Sequence, residues 1–262
     1  MSTPADALAE AFDALGVIAF RGPDAAKFLQ GQLSAEIEKL APGARTHAGL
    51  HNPQGRVIAL LAVTRHSPDE FLAVLPRELI SPVMARLNKY VLRAKVRIAD
   101  ASGEFAALAE SGADRALAEI RAGVPQVYAA TSETFVAQML NLDLLGAIAF
   151  DKGCYTGQEV IARAHYRGRV KRRMQRWLNT SGIALKPADA ARGPDGRTLA
   201  VVRVASPTAG QQGGWQQEIL AVGNFTPAIE PAIDPAAETS VGAESTDVQV
   251  SGPLPLPYTL PD

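Results

Sequence analysis

The chain of 262 residues has one cysteine, Cys154. A lone thiol excludes an internal disulfide framework, and nothing around it has the spacing of a metal-ligand set. No apolar run reaches the ~18 residues of a membrane span. Aromatic residues make up only 6%. P-loop, nucleophile-elbow and dinucleotide fingerprints are missing, and Gly210 to Gly214 follows no clear strand–helix context. Beyond Arg203 there is no Lys, Arg or His. The seven acidic residues of that last stretch hide a charge of +6 on residues 1–203 under a net −1. The N-terminus carries neither a signal-peptide nor an Arg-rich transit pattern, so a cytoplasmic protein with a reduced thiol is expected.

The rest of the composition, 47% hydrophobic and 20% charged, is that of a globular protein, and the length predicts two or three modules. Thr3-Pro4-Ala5-Asp6 reads as the start of a helix running to about Leu15. A strand over Val17–Phe20 and a helix carrying Phe28 and Leu29 follow. Ser34 is expected to cap a short helix that Pro42-Gly43 ends. Strands over Arg45–Leu50 and Arg56–Val63 are joined through Asn52-Pro53-Gln54-Gly55. Glu70–Leu75 is a third strand, and the spacing of Val83, Leu87 and Val91 predicts a helix beginning at Pro82.

Lys95–Ala99 and Phe105–Leu108 read as strands, Asp114–Arg121 and Thr134–Leu145 as helices. Beyond Arg169 the period is two, with Val170, Met174 and Leu178 on the apolar face. Strands over Thr198–Ala205, Glu218–Val222 and Val248–Val250 suggest a small barrel, with loops over 188–196 and 226–244. The fold class is α+β, with strands packed around one long helix in a ferredoxin-like layer.

Chemistry concentrates in Lys152-Gly153-Cys154-Tyr155-Thr156-Gly157-Gln158-Glu159. Two glycines bracket the thiol, which fits either a tight connection around a buried cysteine or a reactive thiol. In the second case Lys152, with Arg163 and Arg167 nearby in sequence, favours the thiolate over its reference pKa of ~8.5. Glu159 and Gln158 can pair with the N–H donors and acceptor of an amino-pyrimidine ring, and Glu159 can equally pair with one of the arginines behind it. Seven cations lie between Arg163 and Arg176. They fit a solvated strand face, an anionic ligand tail, nucleic-acid phosphate, or salt bridges to the acidic C-terminal third. Tyr166 and Trp177 are too few aromatics for a nucleic-acid module. His47 and His51 stand four apart on strand and turn, not on a shared helical face, so a metal site is not expected.

The octapeptide resembles the YgfZ-type folate-binding family, related to the aminomethyltransferase (T-protein) of the glycine cleavage system. So do Asn141-Leu142-Asp143, Tyr166-Arg167-Gly168, Lys171-Arg172-Arg173, Phe28-Leu29-Gln30-Gly31-Gln32, Pro53-Gln54-Gly55-Arg56 and Leu254-Pro255-Leu256-Pro257-Tyr258. The resemblance implies three domains around a central hole. These are a discontinuous folate-binding domain over 1–44 plus 110–168, an inserted ferredoxin-like domain over 45–109, and a C-terminal β-barrel over 169–262.

It also implies tetrahydrofolate as cofactor, held at Gly153, Tyr155, Gly157, Gln158 and Glu159 with Arg163 and Arg167 on the glutamate tail. Cys154 and Lys152 are then the reactive pair. The implied role is as an accessory protein for iron–sulfur cluster assembly or repair, supporting iron–sulfur enzymes that include a tRNA-modifying one. Its partners would be iron–sulfur proteins or assembly factors, without a membrane and with nucleic acid less favoured. Two alternatives stand beside it: a folate-dependent one-carbon transferase, and a non-catalytic scaffold for RNA or a partner. Aminomethyltransferases carry a Gly-Gly turn and paired aspartates on the next strand. Here the turn is Gly55-Arg56 and the strand positions are Ala59 and Leu60, which disfavours glycine cleavage because the electrostatic partner of the reacting nitrogen is missing.

Overall fold

The structure, a computed structural model, describes residues 14–109, 112–168, 170–205, 208–209, 215–224 and 248–261. In chain order its elements are β1 (Leu15–Arg21), α1 (Ala25–Gln32), β2 (Arg45–His51), β3 (Val57–Ser67), β4 (Glu70–Pro76), α2 (Ile80–Asn88), β5 (Arg97–Asp100) and α3 (Ala113–Arg121). They continue with α4 (Gln158–Arg167), β6 (Arg172–Asn179), β7 (Ala190–Arg192), β8 (Thr198–Val204), β9 (Thr208–Ala209), β10 (Trp215–Asn224) and β11 (Val250–Leu254). The described residues fall into two compact units. One holds 14–112 and 126–168; the other holds 113–125 and the chain from 170 onward. The expected N-terminal helix lies outside the described residues.

In the first unit five antiparallel strands run in the order β2-β3-β4-β1-β5. β1 is covered on both faces. Its run Val17 to Phe20 is fully buried, which is why it reads as an unbroken apolar segment and not as an alternating one. Val17 and Ala19 pack with Ala62, Leu72, Val74 and Ala101, and Leu15 and Phe105 close over them. The turn between β2 and β3 forms as expected. Gly55 takes φ +72 and donates its N–H to the Asn52 carbonyl at 2.9 Å.

Three expectations fail in this unit. Ser34 caps no helix: its hydroxyl donates to the Ala147 carbonyl at 2.6 Å and accepts from the Gly49 N–H at 2.8 Å, tying distant segments together. Gln30 Oε1 instead accepts the N–H groups of Ile37 and Glu38. Phe105–Leu108 is no strand. It turns locally, and Ala106–Ala109 is a 3₁₀ helix that puts Phe105 against the core. The helix over 134–145 shrinks to a 3₁₀ turn, Ala137–Leu140, ended by Asn141 at φ +56. Asparagine tolerates that left-handed conformation.

The second unit is an antiparallel sheet in the order β11-β6-β10-β8-β7, with β9 on β10. A closed ladder is not formed among the described residues. The two edges meet at one bridge, Arg192 with Gln249, next to the Arg192 N–H to Val248 carbonyl bond at 2.9 Å. The facing assigned to β6 is also corrected. Trp177 enters the core with Val201, Ile219 and Val250, while Leu178 is only half-buried. β6 lies between β10 and β11, and Met174 is buried as well, so alternation could not tell its two faces apart. The loop expected over 188–196 contains β7. Arg203, on β8, is buried, its guanidinium donating to Glu119 of α3 at 2.6 Å and to the Val124 carbonyl at 3.1 Å.

Candidate functional site

The octapeptide enters α4, a helix on which the sequence reading placed no element. Gly157 is its N-cap at φ +83. A Cβ there would sit 2.5 Å from the Asn52 carbonyl oxygen and 3.1 Å from Gly55 Cα. The helix start is thus pressed backbone to backbone against the β2–β3 turn, and glycine meets both demands at once. Asn52 secures that turn from within. Its Oδ1 accepts the N–H groups of Gln54 (3.0 Å) and Arg56 (2.9 Å), and its Nδ2 donates to Glu133 at 2.6 Å. Glu133 itself sits at φ +60. From the other side Gln138 donates to the Ile161 carbonyl at 2.8 Å. Asn52, Glu133 and Gln138 were missed by sequence reasoning, and only the Asn-Pro-Gln-Gly turn signal pointed near them.

The predicted site residues separate into two groups. Lys152 is buried, its ammonium donating to the carbonyls of Leu33 (2.8 Å) and Ala35 (2.6 Å) and lying 5.3 Å above the Tyr155 ring. Burial draws its pKa down to about 8 against the pull of Glu36 and Glu38. Tyr155 is buried too, and burial alone pushes its phenol up to about 12. Gln158 turns back to accept the Tyr155 N–H at 3.1 Å, tying the loop to the first residue of the helix. These three hold the loop in place.

The second group faces outward. Gly153, Cys154, Glu159, Arg163 and Arg167 are exposed, and Cys154 is a free thiol. Glu159, Arg163 and Arg167 succeed one another at intervals of four, so they line one side of α4 while Ile161 is buried on the other. At its C-terminal end His165 stacks on Phe150, 3.9 Å between ring centroids, with Tyr166 edge-on to both.

Under the loop lies His51, 1% exposed, whose two ring nitrogens have no hydrogen-bond partner. Its ring is tilted by 46° against that of Tyr155, with centroids 6.2 Å apart. Burial lowers its pKa to about 4; the Gly49 backbone pulls the other way, although its approach does not meet hydrogen-bond geometry. The ring occupies the space that a side chain on Gly49 would need. Among the described residues no group of three His, Cys, Asp or Glu is arranged to hold a metal ion.

Beyond α4 the basic tract is partly consumed by the second unit. Arg173 is 3% exposed, and Arg176 is mostly buried with Glu218 at 3.8 Å. That pair is a salt bridge to the acidic C-terminal third. Ala59 and Leu60 are both buried in β3.

Comparison with known proteins agrees with the fold. The GCVT N-terminal domain model matches residues 9–134. An uncharacterized protein of Haemophilus influenzae is 30% identical over 60% of this chain and 69% of its own length. The tRNA-modifying protein YgfZ of Edwardsiella ictaluri is 29% identical over 64% of this chain and 69% of its own. The protein of that name from Escherichia coli O157:H7 is also 29% identical, over 63% and 69%. Among solved structures, glycine cleavage system aminomethyltransferase T from Bartonella henselae superposes with a TM-score of 0.57 at 15% identity, covering 84% of this chain and 82% of that one. This likeness shows a shared fold. The octapeptide, the matched domain model and these relatives together place the chain in the YgfZ-type family, related to the aminomethyltransferase of the glycine cleavage system.

Proposed function

We propose that the chain is a tetrahydrofolate-binding accessory protein for the assembly or repair of iron–sulfur clusters. It would serve iron–sulfur enzymes that include tRNA-modifying ones, in the cytoplasm. One observation carries the reading: a free thiol, Cys154, precedes a helix whose exposed side presents Glu159, Arg163 and Arg167 in order. The relatives named as tRNA-modifying proteins support the tRNA link. The resemblance of the octapeptide to a folate-binding family supports the cofactor.

The residues present fit a folate in part. A carboxylate such as Glu159 accepts paired N–H donors from an amino-pyrimidine ring, and two arginines one turn apart suit the carboxylates of a glutamate tail. Gln158 has its amide oxygen committed to the Tyr155 N–H, so Glu159 carries the ring contact alone. Lys152 and Tyr155 act through position, fixing the loop that presents the thiol. Bound tetrahydrofolate would supply a one-carbon carrier beside that thiol. With Ala59 and Leu60 buried where a carboxylate pair would be needed, aminomethyl transfer is the weaker reading.

Calorimetry with tetrahydrofolate is the test. Binding that weakens by roughly 10-fold or more in Glu159→Ala is expected, as for loss of a charged hydrogen bond. No binding at millimolar ligand, or binding indifferent to Glu159→Ala, removes the pocket. The thiol's part is tested separately in a deletion strain, where Cys154→Ala is expected to leave iron–sulfur enzyme activity unrestored.

A further inference from the structure

The cations that the sequence offers most densely, Arg163 to Arg176, are drawn partly into the fold. A second basic segment is not. Between Ile80 and Ala99 there are five cations, Arg86, Lys89, Arg93, Lys95 and Arg97, and no acid. Arg86 stands 3.8 Å from Glu133, while Lys89, Arg93, Lys95 and Arg97 are exposed. Asp24 lies against this loop, its carboxylate accepting the Lys95 N–H at 2.6 Å, and Glu70 and Glu104 are paired with Arg21, the residue opposite Arg97 in the sheet.

At the centre of the loop stands Leu92, 89% exposed and at φ +32, beside Tyr90 at 46% exposure. A leucine in the left-handed region is strained, and a fully exposed one gains nothing from burial. Both costs fall on a loop that is otherwise tightly built. The Tyr90 N–H donates to Leu87, Val91 to Asn88 and Ala94 to Val91, and the Asp24 N–H donates back to the Lys95 carbonyl. The loop is thus a fixed tip, with an aliphatic point, one aromatic face and four exposed cations that form no ion pair among the described residues.

We infer that the 89–97 loop is a contact surface for single-stranded RNA. Lys89, Arg93, Lys95 and Arg97 would meet phosphates, Tyr90 would stack on a base, and Leu92 would wedge beside it. A membrane is the poorer fit, since one leucine and a half-covered tyrosine supply too little apolar area for stable anchoring. This inference rests on the tRNA link proposed above, but it needs neither folate nor Cys154.

The test is fluorescence anisotropy with a labelled anticodon stem–loop RNA, over about 50 to 200 mM salt. Four phosphate contacts predict an affinity falling roughly 50-fold across that range. Arg93→Ala with Lys95→Ala should flatten the log–log salt slope by about 1.4, the share of two contacts. Tyr90→Ala and Leu92→Ser should weaken binding about 5- to 10-fold with the slope unchanged. Folate calorimetry on the same variants should match the unaltered protein, which separates a lost RNA surface from a lost fold or pocket. Absence of binding at 50 mM salt would overturn the inference. So would binding that these four changes leave intact while Arg163→Ala and Arg167→Ala abolish it, or anionic vesicles bound as tightly as RNA.

Discussion

His51 shows how much one side chain can depend on its surroundings. In the sequence it is half of a His47–His51 pair. In the structure it is a neutral imidazole sealed under the thiol loop with neither nitrogen bonded. Its folded pKa of about 4 lies below the ordinary 6.5. Above pH 6.5 the ring is neutral in folded and unfolded chains alike, so it contributes no pH dependence. As pH falls from 6.5 toward 4 the unfolded chain takes up a proton that the folded one refuses, and stability drops. About 2 kcal/mol should be lost between pH 7 and 4.5. Urea unfolding at the two pH values measures it, and His51→Phe should remove most of the difference. An equal loss in both proteins would mean that another group is responsible. Lys152 carries a similar lesson: next to a cysteine in sequence it reads as a thiol activator, yet its ammonium is spent on two backbone carbonyls.

At the scale of elements, the junction of α4 with the β2–β3 turn is what presents the site. Gly157 combines φ +83 with a backbone approach that a methyl group would violate. Gly157→Ala should therefore destabilise the first unit by about 2–4 kcal/mol, since the strain and the clash add. The comparison variant Gly153→Ala meets no atom within 4 Å and should cost well under 1 kcal/mol. Similar losses from both would mean that the close approach is not what requires glycine. The glycines and the turn were legible in the sequence, as were β2, β3, β4 and α3 within a few residues. The helices expected after Ser34 and over 134–145 were not. Their polar residues, Ser34 and Gln138, are engaged by segments more than 20 positions away, and local propensity carries no record of that.

For the whole molecule, the two units offer separate reporters. Trp177 and Trp215 both belong to the second unit, so tryptophan fluorescence follows that unit while far-UV circular dichroism follows both. Arg203→Met breaks a buried pair with Glu119 and should destabilise the second unit by about 3 kcal/mol, visible as a shifted fluorescence midpoint. Gly157→Ala should move the circular dichroism transition by more than the fluorescence one. Identical shifts by both probes in both variants would show that the chain unfolds as a single block.

The sequence by itself determined the family, the apolar strands, the turn and the single thiol. These depend on neighbours in the chain, on glycine's freedom and on periodicity, all of which can be read along a line. Only the tertiary structure decided which cations are spent inside a sheet and which stand free, and that Lys152 and Gln158 brace the thiol loop. It also put His51 beneath that loop. Burial and partnership depend on residues far apart in sequence, and these set the charge, the pKa and the availability of each side chain.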